Sequence, residues 1–141
     1  MNAQDLRDAL MRKAQDVRAP IELNWQYPTR RPKAPLKARP GRTWRTYDPA
    51  EPPALTKNRK NWFYADLVFP RRRMGHALAG RAAWLYLNMY CPFTLWIDGQ
   101  ECFAEAHNWY ATGPIADPVV FEIEPGRPYR LIFAAAPTEL P

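Results

Sequence analysis

The chain has 141 residues, 47% of them hydrophobic, and a net charge of +6, which allows one compact domain with an extension and excludes two full cores. Residues 18–60 hold eleven Lys or Arg against three acids, giving +8, so the remaining residues sum to −2; the basicity belongs to one segment. No stretch supplies the roughly 20 apolar residues of a membrane helix, since the nearest candidate, 82–97, contains Asn88, Pro92 and Thr94 and stops at Asp98.

In residues 3–17, Leu6, Ala9, Leu10, Ala14 and Val17 recur at helical spacing, with Asn2 and Asp5 placed to cap the start. A short amphipathic helix is predicted over 1–17, and being short it needs a surface to pack on. The acids Asp5, Asp8 and Asp16 interrupt any apolar run, so the segment does not read as a secretory signal and a cytoplasmic location is expected, with no membrane partner.

Residues 18–60 form a Pro-rich basic arm. Eight of the sixteen prolines lie there, a composition that resists both helix and central strand. Trp25, Tyr27, Trp44 and Tyr47 interleave with Arg30, Arg31, Lys33, Lys37, Arg39, Arg42 and Arg45. Phosphate neutralisation with base stacking would suit single-stranded nucleic acid. Because the rest of the chain is slightly acidic, the expectation is instead an arm docked across a neighbouring domain or partner subunit, its tryptophans anchored and its cations in water, with nucleic acid not expected.

From Asn61 the pattern changes to short strands and turns, so 61–141 is read as the folded domain. Strands are predicted over 62–69, over 83–90 with Ala83, Leu85, Leu87 and Met89 on one face, over 93–97 and 100–104 as a hairpin, and over 119–123 and 129–134. Residues 105–118 are read as a loop. The Asp98-Gly99 pair carries the hairpin, because both residues tolerate positive φ. Frequent turns between short strands imply an all-β fold, an antiparallel β-sandwich.

A two-residue turn at Asp98-Gly99 would set Ile97 opposite Gln100 and Leu95 opposite Cys102. Cys91 and Cys102 would then lie four positions apart, about 13 Å, beyond the roughly 7 Å that a disulfide tolerates between Cα atoms. Two free thiols are expected, each a small buried hydrophobe.

No catalytic residue is expected. The chain has no serine and only two histidines, His76 and His107, which removes serine-dependent nucleophilic catalysis. Metal-ligand spacings and phosphate-cradling glycines are missing from the sequence, so neither metal nor cofactor is expected. Asp98, Glu101, Glu122 and Glu124 fall at turns or on polar strand faces, where solvation explains them. Glu105, His107, Asn108, Trp109 and Tyr110 are the substrate-binding candidates, because hydrogen-bonding groups beside aromatic faces suit a carbohydrate. The alternative is that Trp109 and Tyr110 plug the end of the sandwich with their polar tips at the rim.

WFYADLVFP, an apolar strand, FTLWIDGQECF, a loop containing AHN, and FEIEPGRPYRLIF together resemble the N-terminal β-sandwich of family-38 glycoside hydrolases, the α-mannosidases. The resemblance spans 62–133, about half of the chain. It implies a galactose-binding-like jelly roll acting as a non-catalytic accessory module that packs against a catalytic domain and contacts carbohydrate. It also implies that the metal and the nucleophile lie in a separate domain, since none of their motifs matches this sequence. The alternative is a stand-alone carbohydrate- or protein-binding module that uses its N-terminal helix and arm to dock or oligomerise; single-stranded nucleic-acid binding through the arm is the weaker third reading.

Overall fold

A computed structural model describes residues 2–5, 21–105, 110–114 and 118–138. Residues 3–5 are helical, and Asn2 and Asp5 cap each other's backbone: the Asp5 N–H donates to Asn2 Oδ1 at 2.8 Å and the Asn2 N–H to Asp5 Oδ2 at 3.3 Å. The rest of the helix expected over 1–17 lies outside the described residues.

The ordered elements are the strands β1 (Gln26–Tyr27), β2 (Arg45–Thr46), β3 (Asn61–Val68), β4 (Arg72–Arg73), β5 (His76–Ala77), β6 (Tyr86–Tyr90), β7 (Phe93–Ile97), β8 (Gln100–Glu105), β9 (Tyr110–Pro114) and β10 (Pro128–Ala135), with a 3-10 turn at Pro35–Lys37. Six of them form one antiparallel sheet in the order β2-β1-β3-β10-β7-β8, while β4 pairs with β5 and β6 with β9. The fold is all-β, antiparallel and sandwich-like.

Strand periodicity explains how the sheet is buried on both faces. On β3, β7 and β10 the odd-numbered residues, among them Ala65, Leu67, Phe93, Leu95, Leu131 and Phe133, enter the main core. The even-numbered Trp62, Tyr64, Trp96, Ile132 and Ala134 form a second cluster on the opposite face. A half-exposed sheet would show alternation, and near-continuous apolar runs such as 131–135 mark strands covered on both sides. Leu78, Ala83, Leu85, Val119, Val120 and Ile123 cover the main core. The second face is covered by the arm, through Ala38 and Trp44.

Residues 21–60 of the arm fold onto the chain's own sheet. Gln26 pairs with Tyr64, and β2 pairs with β1. Trp44 packs on Tyr64 at 4.7 Å between ring centroids, the Tyr64 hydroxyl donates to the Pro35 carbonyl at 2.7 Å, and the Arg130 guanidinium donates to the Ala38 carbonyl. Trp25 meets Phe133 edge-on at 6.1 Å. Prolines that cannot serve a central strand are tolerated in a segment that lies at the sheet's edge and over its face.

The Asp98-Gly99 turn forms as its sequence predicts, with φ of 50° and 83°. Asp98 also ties the hairpin tip to β10. Its N–H donates to the Arg130 carbonyl at 2.9 Å, its Oδ1 accepts the Arg130 N–H at 3.0 Å, and its Oδ2 accepts from the Arg127 guanidinium at 2.9 Å. Met74-Gly75, with φ of 49° and 80°, makes a second turn of the same kind between β4 and β5.

Three expectations are corrected. A bulge between Leu95 and Trp96 places Phe103 opposite Leu95, so Cys102 is the extra residue: it is exposed rather than buried, and its thiol donates to the Leu95 carbonyl at 3.5 Å. Residues 110–114, expected in a loop, form β9 against β6. Residues 119–123 make no regular strand: Val120 bridges Ala83, and Ile123 bonds irregularly to Gly80 and Arg81. Pro118 before this stretch and Pro125 after it cannot donate to a ladder.

Candidate functional site

The candidate site is a groove of about 510 Å3 where the arm meets the start of β3. Tyr27 to Pro32 lead out of β1 along one side, Pro53 to Thr56 and Arg59 to Phe63 line the other, and Arg45 of β2 joins them. The second side is held by Asn61. Its side-chain oxygen accepts the Thr56 N–H at 2.8 Å, and its amide nitrogen donates to the carbonyls of Thr56, Arg59 and Ala135 at 3.1, 3.0 and 3.0 Å. Asn58 adopts φ of 58°, and its N–H donates to the Pro137 carbonyl at 2.7 Å. Asparagine tolerates this left-handed conformation better than most residues. The result is a turn that sets Arg59 and Lys60 at the groove's rim.

The groove is strongly cationic. Arg30, Arg31, Arg45, Arg59 and Lys60 line it and are exposed, and no acid stands among the described residues that line it. The ion pairs among the described residues lie elsewhere: Arg127 with Asp98 and Glu124, and Arg130 with Asp66. Lys60 Nζ sits 5.8 Å from the Trp62 ring and 5.9 Å from that of Trp96, and the two indoles are stacked at 5.3 Å. Tyr27 and Tyr47 meet Phe63 edge-on at 5.9 and 6.0 Å. The buried Trp62 Nε1 has no acceptor among the described residues.

The residues expected to bind sugar are only partly placed. Glu105 ends β8 opposite Phe93, and Tyr110 opens β9 opposite Tyr90, so the two stand on different sheets. His107, Asn108 and Trp109 lie outside the described residues. The groove cations Arg30, Arg31 and Arg45 are legible in the sequence as part of the basic, aromatic arm, whereas no motif marks Arg59, Lys60 and the Asn61 clamp. The signal available was the basic run 57–60 directly before a strongly apolar strand.

The described residues contain no group of three or more His, Cys, Asp or Glu placed to hold a metal ion. Cys91 is buried and Cys102 exposed, and both are free. Desolvation pushes both thiol pKa values above the ordinary cysteine range, for Cys91 against the opposing hydrogen bond with the Ala136 backbone. Thiols held protonated are poor nucleophiles. No helix among the described residues is long and apolar enough to cross a membrane. In comparisons with known proteins, the chain matches no family model, no curated protein and no solved structure.

Proposed function

We propose that the chain is a non-catalytic accessory module, a galactose-binding-like β-sandwich of an α-mannosidase-like glycoside hydrolase, which serves domain packing and contacts carbohydrate. The observation that carries this reading is a set of large exposed aromatics beside the bridge that joins the segments covering the main core. Trp84 and Phe121 flank the Ala83–Val120 bridge and are 52% and 71% exposed, and Tyr86, at the start of β6, is 55% exposed. Large aromatics grouped on one exposed surface mark an interaction face more often than a solvated one. A module packed against a catalytic domain needs such a face. The segments that resemble the mannosidase module supply β3, β7, β8 and β10, which are adjacent in one sheet.

The native reading frame tests the proposal. It is expected to continue past the codon for Pro141 into a catalytic domain, and a stop codon at that point would overturn the hydrolase reading. The packing role has its own measurement. Sedimentation of the isolated chain should show concentration-dependent self-association that Trp84→Ser with Phe121→Ser abolishes, and a chain that stays monomeric at several hundred micromolar would remove the aromatic face from the account.

A further inference from the structure

The basic groove has a chemistry that the sandwich itself does not require. Arg30, Arg31, Arg45, Arg59 and Lys60 surround one concavity, and no ion pair with a described residue neutralises any of them. Like charges gathered in this way repel one another and destabilise the compact state. An anionic occupant relieves the repulsion, and the planar guanidinium fork takes the oxygens of sulfate, phosphate or carboxylate two at a time.

What lies between the cations narrows the occupant. Pro28, Pro32, Leu55 and Phe63 give the groove apolar walls, which suit the C–H faces of sugar rings. A nucleic-acid strand would need open ring faces for its bases to stack on. The rings that line this groove are engaged with other side chains: Trp62 stacks on Trp96 with Lys60 Nζ 5.8 and 5.9 Å from the two rings, and Tyr27 meets Phe63 edge-on. We infer that the groove binds an acidic oligosaccharide, one whose sugars carry sulfate, phosphate or carboxylate groups. The choice of a sugar as the carrier of the charge rests on the carbohydrate reading proposed above, whereas the requirement for an anion rests on the groove alone.

The test titrates the full chain with a sulfated oligosaccharide of defined length, its desulfated counterpart, and a single-stranded oligonucleotide of equal charge. Amide shifts locate binding and calorimetry measures it. The double variant Arg45→Gln, Arg59→Gln removes two exposed cations, and an unchanged melting temperature verifies that it folds. The sulfated sugar is expected to shift amides of 27–32 and 59–63, to bind roughly tenfold or more weakly to the double variant, and to weaken steeply as salt rises. The desulfated sugar is expected to leave those amides unmoved. Equal binding of the desulfated sugar, equal or tighter binding of the oligonucleotide, or undiminished affinity in the double variant would each overturn the inference. The reading-frame test decides the hydrolase reading separately, so the two failures are distinguishable.

Discussion

Leu131→Ala is expected to lower the unfolding free energy by about 3 to 5 kcal/mol, as a fully buried leucine truncated in a packed core does. Leu131 is 0% exposed and sits on β10, the strand hydrogen-bonded on both sides, with Ala65 of β3 and Ile97 of β7 as its register partners. Ladders on both flanks hold the backbone in place, and the small Ala65 side chain cannot fill the space, so the cavity stays open. A shift of roughly 10 °C or more in the melting temperature follows for a chain of this size. Urea unfolding with an unchanged m-value measures the loss. Val68→Ala, at a position 51% exposed on the neighbouring β3, serves as the control and should change stability by no more than about 0.5 kcal/mol. A loss below about 1 kcal/mol at Leu131 would mean that the core is not packed as described.

Alkaline pH should loosen the arm through Tyr64. Burial pushes its phenol from 10.0 up to about 12, against the opposing charge of Arg130. The group is 1% exposed, and its hydroxyl donates to the Pro35 carbonyl of the arm at 2.7 Å. The folded state therefore holds this proton more tightly than the unfolded chain does. Its contribution is complete below pH 10 and is lost as pH rises through about 12, with a total of about 3 kcal/mol. Unfolding free energies measured across that window should fall in the native chain, and Tyr64→Phe should remove this component of the slope. Tyr64→Phe also leaves the Pro35 carbonyl without its donor, at a cost of about 1 kcal/mol that does not vary with pH. If the two chains lost stability in parallel between pH 10 and 12, Tyr64 would not be the responsible group.

The central strands were legible because local chemistry and tertiary demand agree there. Residues 61–68 and 93–97 carry the apolar and aromatic content of strands, and the Asp98-Gly99 pair dictates a turn with two positive φ values. The Cys102 bulge was not legible, because one extra residue leaves composition unchanged and declares itself only in the pairing with β7. β9 reads YATGP, weak in β propensity, and its pairing with β6 is a non-local choice that propensity does not encode.

The arm's position escaped sequence reasoning for a related reason. Its strands are two residues long, too short to show any periodicity. What holds the arm is long-range: Trp44 against Tyr64, Trp25 against Phe133, and Arg130 reaching Ala38. The groove's charge was written in the composition, but its concavity depends on Asn61 joining Thr56, Arg59 and Ala135. Exposed aromatics at Trp84 and Phe121 were equally hidden, since an apolar residue in a strand gives no sign of which face is left uncovered.

That the arm is part of the sheet, and therefore a wall of the groove, is the claim on which the rest depends. A double-mutant cycle between Trp44 and Tyr64, using Trp44→Ala and Tyr64→Ala with stability read by urea unfolding, tests it most directly. Rings 4.7 Å apart should give a coupling energy of about 0.5 to 1.5 kcal/mol. Two single losses that add with no coupling would mean that the arm does not rest on this face of the sheet.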